Sequence, residues 1–328
     1  MSSAAVVFDA LRCEQLALVS AFEKLDGEAR FAAAPWSLDH LGSGLSLILE
    51  GGAVFERAGV NVSLVSGKRT PLSIVALQPG LTGKPFVATG ISMVLHPRNP
   101  YVPAFHANMR FFEVGDSAAP ECSDHWWFGG GADLTPSYGF EEDATHFHHT
   151  LKDCCDRHDR RWYPKWKQQC DEYFWLRHRH QMRGIGGIFF DRLNLRDGIS
   201  FADGLRFVTD AVRSIIPAYA PIVQRRRREP FGDRERSWQL LRRGRYAEFN
   251  LVYDRGTLFG LQTDGNIEAI LMSLPPVARW AFDAVPEPGS AESDLERFLQ
   301  PFDWAGRDRL DDYPPGLFGE PIVEGRSR

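Results

Sequence analysis

The feature of this sequence that most constrains its fold is the stretch from residue 96 to residue 113, where three prolines separate two apolar segments. Proline fixes φ and cannot donate to a sheet ladder, so Pro97, Pro100 and Pro103 predict a turn between two strands. Side chains on a strand alternate between its two faces. The second predicted strand therefore has one mainly polar face, made of His106, Asn108, Arg110 and Phe112.

The strand predicted before the turn, at residues 87–95, carries a matching face. Period two places Ser92, Val94 and His96 on one side of it. If the two strands pair, a hydroxyl, two imidazoles, an amide and a guanidinium meet on one face of the sheet. Polar alternation is also the usual state of a half-exposed strand, so a solvated sheet face is the open alternative.

Length and composition limit the class of protein. At 328 residues the chain can bury a large core, and length alone allows one domain or two. No internal repeat or long linker divides it, so we predict a single domain over residues 1–328, with an N-terminal helix and lead-in at 1–40 and a Pro- and Gly-rich tail at 286–328. Nine tryptophans suit a large apolar pocket as well as a core. The net charge of −5 gives no reason to expect a nucleic-acid partner.

The five cysteines are odd in number and include no C-x-x-C pair. This pattern argues against a disulfide framework and against a thiolate zinc site, and a cytoplasmic location is the one we expect. The first 24 residues read as an amphipathic helix that lacks the basic start and apolar core of a signal peptide. No uncharged apolar run approaches about 18 residues, so we expect no membrane span.

Apolar residues spaced three and four apart predict helices at 141–156, 164–183 and 201–219. In the first of these, His148 lies on the apolar stripe, whereas His146 and His149 lie on the polar side. In the second, His178 follows Phe174 by four residues on the buried stripe. Four histidines are thereby predicted to point into one cavity: His96, His106, His148 and His178. A hydrogen-bonded core histidine is the alternative for each.

An aromatic segment at 124–128 leads into three glycines at 129–131. Glycine lets a ligand approach the backbone closely, but no helix with G-x-G-x-x-G spacing follows, so dinucleotide binding is not indicated. A strand is predicted at 185–191. We interpret the four arginines at 225–228 as a solvated loop, because no aromatic residues are interleaved with them.

The C-terminal half is predicted to contain a strand meander. Segments 246–254, 257–263 and 267–274 are separated by the hairpin signals Asp254-Arg255-Gly256 and Asp264-Gly265. Such a meander implies an antiparallel sheet, and with the helices it predicts the α+β class. A short helix is expected at 290–299.

Five segments of the chain form a recognisable set. They are 96–113, Trp-Trp-Phe-Gly-Gly-Gly-Ala-Asp-Leu-Thr-Pro at 126–136, Glu-Glu-Asp-Ala-Thr-His-Phe-His at 141–148, Arg-Gly-Ile-Gly-Gly-Ile-Phe-Phe-Asp at 183–191, and Arg-Arg-Gly-Arg-Tyr-Ala-Glu-Phe-Asn-Leu-Val-Tyr-Asp-Arg-Gly at 242–256. In residues and in order this set resembles the oxygen-dependent coproporphyrinogen III oxidases, over most of residues 40–285. The resemblance implies a homodimeric α+β protein with a large antiparallel β-sheet flanked by helices on both faces, and an interface around residues 248–274.

The resemblance also implies a reaction of haem and porphyrin biosynthesis. Two propionates of coproporphyrinogen III become vinyl groups, O2 is consumed, and CO2, hydrogen peroxide and protoporphyrinogen IX are formed. The substrate is a flat, apolar tetrapyrrole with four carboxylates, so its site needs aromatic walls and a guanidinium. The sequence has no flavin, nicotinamide or thiolate-cluster motif. We therefore expect O2 as co-substrate and no organic cofactor, while a divalent metal is left open.

Site roles follow from the same resemblance. Substrate binding is implied for Ser92, Asn108, Met109, Arg110, Asp264, Gly265 and Asn266. His106 matches the proposed proton donor, Asp254 matches an aspartate near the pyrrole nitrogens, and Arg110 is our choice for a substrate carboxylate. The histidines assigned to a divalent metal match His96, His106, His148 and His178. A protonated donor cannot bind a metal through the same nitrogen, so the two roles of His106 compete.

One segment and two single residues depart from the family's pattern. Asp264-Gly265-Asn266 stands where the family has Gly-Gly-Arg or Gly-Ser-Arg, Gln181 stands where an acid is expected, and Leu47 stands where an arginine is expected. Two other functions stay open. One is a non-haem iron oxygenase that uses the inward histidines and Asp133, and the other is a tetrapyrrole-binding protein without turnover.

Overall fold

A computed structural model describes residues 2–76, 78–115 and 125–306 of the chain. Its strands are β1 Ala32–Leu38, β2 Gly42–Glu50, β3 Phe55–Gly67, β4 Phe86–Pro97, β5 Ala104–Val114, β6 Trp126–Thr135, β7 Trp175–Leu176, β8 Gln181–Met182 and β9 Gly187–Leu193. Within the described ranges, seven of them pair antiparallel in the order β1-β2-β3-β4-β5-β6-β9. β7 and β8 form a separate small ladder.

The helices surround this sheet. They are α1 Ser3–Asp26, α2 Leu72–Val75, α3 Glu141–Asp156, α4 Trp162–Tyr173, α5 Phe201–Arg213, α6 Ile215–Arg226, α7 Asp233–Val252, α8 Arg255–Gln262, α9 Ile267–Leu271 and α10 Ala291–Phe298. The predicted first helix is confirmed. Its N-cap Ser2 accepts a hydrogen bond from the Ala5 N–H, and Gly27 ends it with a φ of 90°, which glycine adopts without a steric cost.

One face of the sheet carries the main hydrophobic core. Alternate strand residues point into it, namely Ile91, Met93 and Leu95 of β4 and Phe105, Ala107, Met109 and Phe111 of β5. Apolar side chains of α1, α3, α5 and α6, such as Leu11, Phe147, Phe207 and Ile222, cover them. The predicted alternation of β4 and β5 is therefore confirmed, because the intervening residues project to the opposite face.

Helices α7 to α9 cover that opposite face. The Tyr246 ring of α7 lies edge-on to His96, with ring centroids 5.1 Å apart, and Phe259 of α8 lies edge-on to Phe112 at 6.2 Å. The segment after α9 reaches β3, since a Cβ atom added to Gly59 would lie 3.0 Å from Met272 Sδ. The α+β class, with an antiparallel sheet flanked by helices on both faces, is confirmed.

The predicted C-terminal meander was wrong, because residues 246–274 are mostly helical. The turn-type residues that suggested hairpins cap helices instead. Asp254 accepts a hydrogen bond from the Thr257 N–H at the start of α8, and Asn266 accepts one from the Ala269 N–H at the start of α9. The antiparallel sheet was correctly predicted, but it is built from strands in the first 193 residues.

Two predicted helix boundaries also needed correction. The helix expected at 164–183 ends at Tyr173, because Trp175 and Leu176 are extended and pair with β8. The helix expected at 201–219 is divided at Ser214 into α5 and α6. As a consequence, His178 lies in a short 3₁₀ turn and its side chain is 41% exposed, so its predicted inward position was wrong.

The arginine run at 225–228 is not the solvated loop that we predicted. Arg225 and Arg226 belong to the last turn of α6, and both contact the Asp143 carboxylate of α3 at distances between 2.7 and 2.9 Å. Arg226 is buried. These arginines therefore join two core helices.

Three smaller expectations can be compared with the structure. The short helix near the C-terminus is confirmed as α10, whereas residues 307–328 of the predicted tail lie outside the described residues. Four cysteines, Cys13, Cys154, Cys155 and Cys170, are free thiols, and Cys122 lies outside the described residues. In the part of the chain that the structure describes, no helix is both long and apolar enough to cross a membrane.

Candidate active site

A wide cleft opens on the sheet face that α7 to α9 cover. Its empty volume is about 1760 Å³, counting the space open to solvent. Much of its wall is aromatic and includes Trp36, Phe112, Trp127, Phe174, Phe189 and Phe259. Aromatic walls of this kind suit a flat, mainly apolar ligand.

The polar face predicted for β4 and β5 forms the floor of this cleft. Ser92 lies directly opposite Asn108 in the antiparallel register, and both line the cleft together with His106 and Arg110. On the far side of β5, Asn108 pairs with Gly131. Gly131 has no side chain to fill the floor, so a ligand can approach the strands closely. This face of the sheet is therefore the floor of a concave site, and not the solvated face that was the alternative interpretation.

His106 is oriented by a buried carboxylate on the neighbouring strand. Its Nδ1 lies 2.9 Å from Asp133 Oδ1, and the two residues are directly opposed in the β5–β6 register. Burial alone would raise the pKa of Asp133, but the charge of Arg183 and the bond to His106 hold that pKa below its usual value. An ionised carboxylate accepts only, so Nδ1 is the protonated nitrogen. Nε2 of His106 has no protein partner among the described residues, and the ring lines the cleft.

Arg183 completes this arrangement from beneath the cleft. Its Nη2 donates to both oxygens of Asp133, over 2.8 and 2.7 Å, and its Nη1 donates to Asn250 Oδ1 over 2.6 Å. The guanidinium carbon lies 4.2, 4.4 and 4.8 Å from the ring centroids of Phe174, Tyr246 and Phe249. Because only 1% of its side chain is exposed, Arg183 acts as a buried counter-ion for Asp133 and not as a ligand-binding group.

Arg110 is the guanidinium at the cleft surface. Its Nη2 donates to Asp191 Oδ1 over 3.0 Å, and its Nη1 donates to Asn108 Oδ1 over 3.3 Å. About a third of its side chain is exposed, 34%, so the guanidinium can also contact a ligand. A carboxylate is the group that a planar guanidinium fork recognises best.

Asp254 lies on the opposite wall of the cleft. One carboxylate oxygen accepts from the Tyr173 hydroxyl over 2.9 Å, and the other accepts from the N–H and hydroxyl of Thr257 over 2.8 and 2.9 Å. The Tyr173 hydroxyl in turn accepts from the Arg255 N–H over 3.0 Å. These contacts fix the Asp254 carboxylate at the start of α8, facing the sheet across the cleft.

The segment 264–266, predicted as a substrate-binding hairpin, joins α8 to α9. Gly265 and Asn266 line the cleft, but the Asn266 side chain is used to cap α9. Asp264 has a φ of 50° and is not part of the lining, and its carbonyl accepts from His40 Nε2 over 3.3 Å. The segment therefore contributes backbone and an amide to the cleft, and no cation.

Met109 was predicted to bind substrate with its neighbours Asn108 and Arg110. Its side chain instead points to the other face of β5, where it is fully buried in the main core. Strand alternation requires this, since Met109 lies between two cleft-facing residues. The prediction was wrong for its side chain.

The four histidines predicted to share one cavity lie in separate places. His96 is buried under α7 and contacts the Ser273 carbonyl over 3.0 Å, and His148 is buried between the Tyr163 hydroxyl and the Ile185 carbonyl. Burial lowers the pKa of both imidazoles to about 3, so both are neutral core residues. His178 contacts Glu248 and Tyr253.

This separation does not fit the predicted metal site. Among the described residues, no three His, Cys, Asp or Glu side chains are grouped as ligands for one ion. Of the four histidines only His106 lines the cleft, and its Nδ1 is engaged by Asp133. The prediction that the four histidines share one cavity was wrong, because they come from a cleft strand, a strand end under α7, a core helix and a surface turn. Divalent metal binding by the protein stays a prediction.

Sequence reasoning missed several residues of the cleft. Asp133 was considered only as an iron ligand, and neither Arg183 nor Asp191 was given a role. Asp191 ends the segment Phe-Phe-Asp on a predicted strand. Strand alternation places its carboxylate on the cleft-facing side of that strand, and this pattern could have identified Asp191 as a site residue. Asp133 could have been found only by knowing that β5 and β6 pair with His106 opposite it.

The departures at Leu47 and Gln181 lie away from the cleft. Leu47 is buried in the main core. The Gln181 side-chain oxygen, Oε1, accepts from Arg242 Nη1 over 2.8 Å, and Arg242 is buried with no carboxylate in ion-pair contact among the described residues. Burial lowers the pKa of Arg242 to about 10. A neutral residue at position 181 thus leaves a buried cation uncompensated.

Gln181→Glu is therefore expected to stabilise the protein. A carboxylate at this position would replace a neutral acceptor with a charged one beside Arg242, which should raise the free energy of unfolding by about 1–3 kcal/mol at pH 7. Urea denaturation measures the change. The surface replacement Gln224→Glu is the control and should stay within about 0.5 kcal/mol of the wild type. Equal effects of the two replacements would show that Arg242 does not need a counter-ion.

The sequence matches a known protein family. The family model described as coproporphyrinogen III oxidase matches residues 7–304, which include every strand of the sheet and every residue discussed at the cleft.

Proposed function

Since the chain belongs to the coproporphyrinogen III oxidase family, we propose that it catalyses the oxygen-dependent oxidative decarboxylation of two propionates of coproporphyrinogen III. The products are protoporphyrinogen IX, CO2 and hydrogen peroxide. Family membership makes the chain an oxidoreductase of haem biosynthesis with a tetrapyrrole substrate. The observation that carries the specific proposal is His106, an imidazole oriented by Asp133 at the floor of a wide cleft with aromatic walls.

For each propionate, two electrons and one proton leave the substrate, and one further proton must be supplied. The bond to the carboxylate carbon and one C–H bond of the methylene next to the ring break, a vinyl group forms, and the carboxylate leaves as CO2. The two electrons reduce O2, which becomes hydrogen peroxide when it takes up the hydrogen lost from the methylene and one further proton. An acid within reach of the reacting propionate is therefore required.

The cleft residues divide these tasks. Arg110 binds a propionate carboxylate through its exposed guanidinium edge, while Ser92 and Asn108 contact the substrate from the same floor. His106 supplies the proton from Nε2 in its doubly protonated form, in which Nδ1–H is held by the Asp133 carboxylate. The aromatic wall excludes water and holds the ring system against the strands. In this proposal the porphyrinogen itself reacts with O2, and no organic cofactor takes part.

Asp254 accepts the pyrrole N–H groups of the bound ring in this proposal. It lies across the cleft from His106, and its carboxylate is fixed by Tyr173 and Thr257. Asp254→Asn should lower kcat by about 10²-fold or more, since an amide cannot take up a pyrrole proton as electrons leave the ring. Turnover measured in air-saturated buffer tests this. Normal oxygen-dependent turnover by the variant would exclude the role.

The proposed function is tested by product formation from coproporphyrinogen III, in air and under nitrogen, with chelator-treated protein and chromatographic detection. We expect protoporphyrinogen in air only. Activity restored only by an added divalent metal would contradict the role of His106 as a free proton donor. Tight porphyrin binding without product under any condition would favour a tetrapyrrole-binding protein over an enzyme.

We further propose that the enzyme is a cytoplasmic homodimer. The support for a dimer is a series of exposed apolar side chains in α7 to α9 and the segment that follows: Leu251, Val252, Leu258, Leu261, Ile267, Val277, Trp280, Phe282 and Val285. Exposed apolar surface of this kind marks protein interfaces, and a second copy is the partner that we propose. Free thiols at the described cysteines agree with a reducing compartment.

Phe282→Asp is expected to dissociate this dimer. Phe282 is fully exposed in the single chain, and burying a carboxylate in an apolar interface should weaken association by about 2 kcal/mol or more, or at least about 30-fold. Sedimentation velocity at micromolar protein measures the change. Leu72→Asp on α2, also exposed, is the control and should leave the dimer intact. A monomeric wild type, or an unchanged Phe282→Asp dimer, would contradict the proposal.

A further inference from the structure

The guanidinium proposed to bind the substrate already has a carboxylate partner. Arg110 Nη2 donates to Asp191 Oδ1 over 3.0 Å, and the two side chains are 34% and 26% exposed. The pair thus lies at the cleft surface, where a substrate carboxylate would meet both residues. A second carboxylate beside a substrate carboxylate weakens binding through like-charge repulsion, so its position needs a reason.

The backbone around Asp191 is specialised to hold it there. β6 and β9 pair Phe128 with Leu193 and Gly130 with Phe190, so two residues of β9 face Gly129. These two are Asp191 and Arg192, which form a β-bulge, and Arg192 has a left-handed φ of 59°. The Arg192 N–H donates to Asp191 Oδ1 over 3.1 Å. A bulge with a left-handed non-glycine residue aims a side chain at the expense of regular pairing.

Gly129 is an independent sign that space is reserved for this ion pair. A Cβ atom at this position would lie 2.8 Å from Asp191 Oδ1 and 2.9 Å from Arg110 Nη2. Any other residue would therefore require at least one of the two charged groups to move. The β6–β9 register, the β-bulge at Arg192 and the absence of a side chain at Gly129 all favour the contact between Arg110 and Asp191.

The charges around the cleft suggest what the pair does. The lining residues with formal charges include Arg110 and Arg255 on one side and Asp191 and Asp254 on the other. In the proposed reaction the carboxylate bound to Arg110 is destroyed, because it leaves as CO2. A guanidinium without a partner would then remain in an apolar cleft, next to a neutral vinyl group.

We propose that Asp191 is the resident counter-ion of Arg110 and a positioning residue of the reaction. It holds the guanidinium while a propionate is bound and neutralises it when that carboxylate has gone. The tetrapyrrole can then turn to present its second propionate to the same arginine. This inference rests on the proposed function and assigns Asp191 a role in substrate exchange.

Asp191→Asn tests the proposal, since it keeps an acceptor oxygen for Arg110 and removes the negative charge. Binding is measured by fluorescence titration with coproporphyrin III, which carries four carboxylates, and with mesoporphyrin, which carries two. Relative to the wild type, the variant should bind the tetracarboxylate about two- to fivefold more tightly, with a smaller change for the dicarboxylate. In turnover it should show a lower KM together with a lower kcat, and more of the intermediate with three carboxylates.

Asp191→Glu is the matched control, because it restores the charge with one more methylene and should return kcat and KM toward the wild type. Unchanged or weaker tetracarboxylate binding by folded Asp191→Asn would overturn the proposal, as would an unchanged ratio of intermediate to product. The binding assay does not depend on turnover. If the wild type makes no product, the proposed function fails, while the porphyrin titrations still decide whether Asp191 competes for Arg110.

Discussion

His106→Gln should lower kcat by about 10²–10⁴-fold, which is the usual contribution of a positioned general acid. Glutamine keeps a polar side chain on β5 and leaves Asp133 paired with Arg183, so the fold should be retained. It cannot deliver a proton to the reacting propionate or to reduced oxygen. Because Arg110, Ser92 and Asn108 are unchanged, KM should change little. Steady-state oxidation of coproporphyrinogen III measures both constants.

The control for this prediction is His149→Gln on the exposed side of α3. It removes an imidazole far from the cleft and should leave kcat within about twofold of the wild type. Thermal melting of both variants establishes that they are folded. A His106→Gln enzyme with kcat within tenfold of the wild type would show that another group supplies the proton.

Arg183→Met should destabilise the protein by about 3–5 kcal/mol at pH 7, because it leaves the Asp133 carboxylate buried without its cation. This corresponds to a fall in Tm of about 5–10 °C. The contacts of Arg183 with three aromatic rings would be largely replaced by methionine packing, so the loss should arise mainly from the unpaired charge. Calorimetry on the wild type and variant measures the difference.

The pH dependence gives this prediction a definite sign. In the wild type the pKa of Asp133 is lowered, so the stabilisation from its pairing is present above the ordinary carboxyl pKa and is lost as the pH falls through the lowered value. In Arg183→Met, burial should raise that pKa instead. Proton uptake then favours the folded variant, and the difference in Tm from the wild type should shrink as the pH falls from 8 to 5.

Removing both charges provides the control. Asp133→Asn combined with Arg183→Met should recover much of the stability lost in Arg183→Met, since no buried charge is left unpaired. The double variant should still turn over slowly, because His106 would lose the carboxylate that fixes its tautomer. A double variant as unstable as Arg183→Met would mean that packing around Arg183, and not charge, determines the loss.

The sequence determined the features that depend on local pattern. Period-two alternation placed Ser92, His106, Asn108 and Arg110 on one face, and the structure puts them on the cleft floor. Spacing of three and four placed His148 on the inner side of α3. These predictions held because side-chain direction within one regular element follows from its own periodicity.

Local pattern failed where one signal has two structural meanings. Asp-Arg-Gly and Asp-Gly-Asn can close hairpins, and the same side-chain oxygens can cap helices, as Asp254 and Asn266 do. Over eight or nine residues, alternation and helical periodicity also overlap for apolar segments. Packing of α7 to α9 over the sheet decided between these alternatives, and no short window of sequence contains that information.

Only the tertiary structure decided which residues act together. His106 meets Asp133 because β5 and β6 pair in one register, and Arg183 reaches Asp133 from 50 residues along the chain. The same long-range packing separates His96, His148 and His178 from the cleft. Asp191 faces Arg110 because of a β-bulge in β9, and the sequence pattern of that strand does not predict the bulge. The sequence thus determined the family, the strand faces and the residue types of the site. The charge balance of the site was decided by pairing between distant segments of the chain, because contacts between such segments depend on strand register and helix packing.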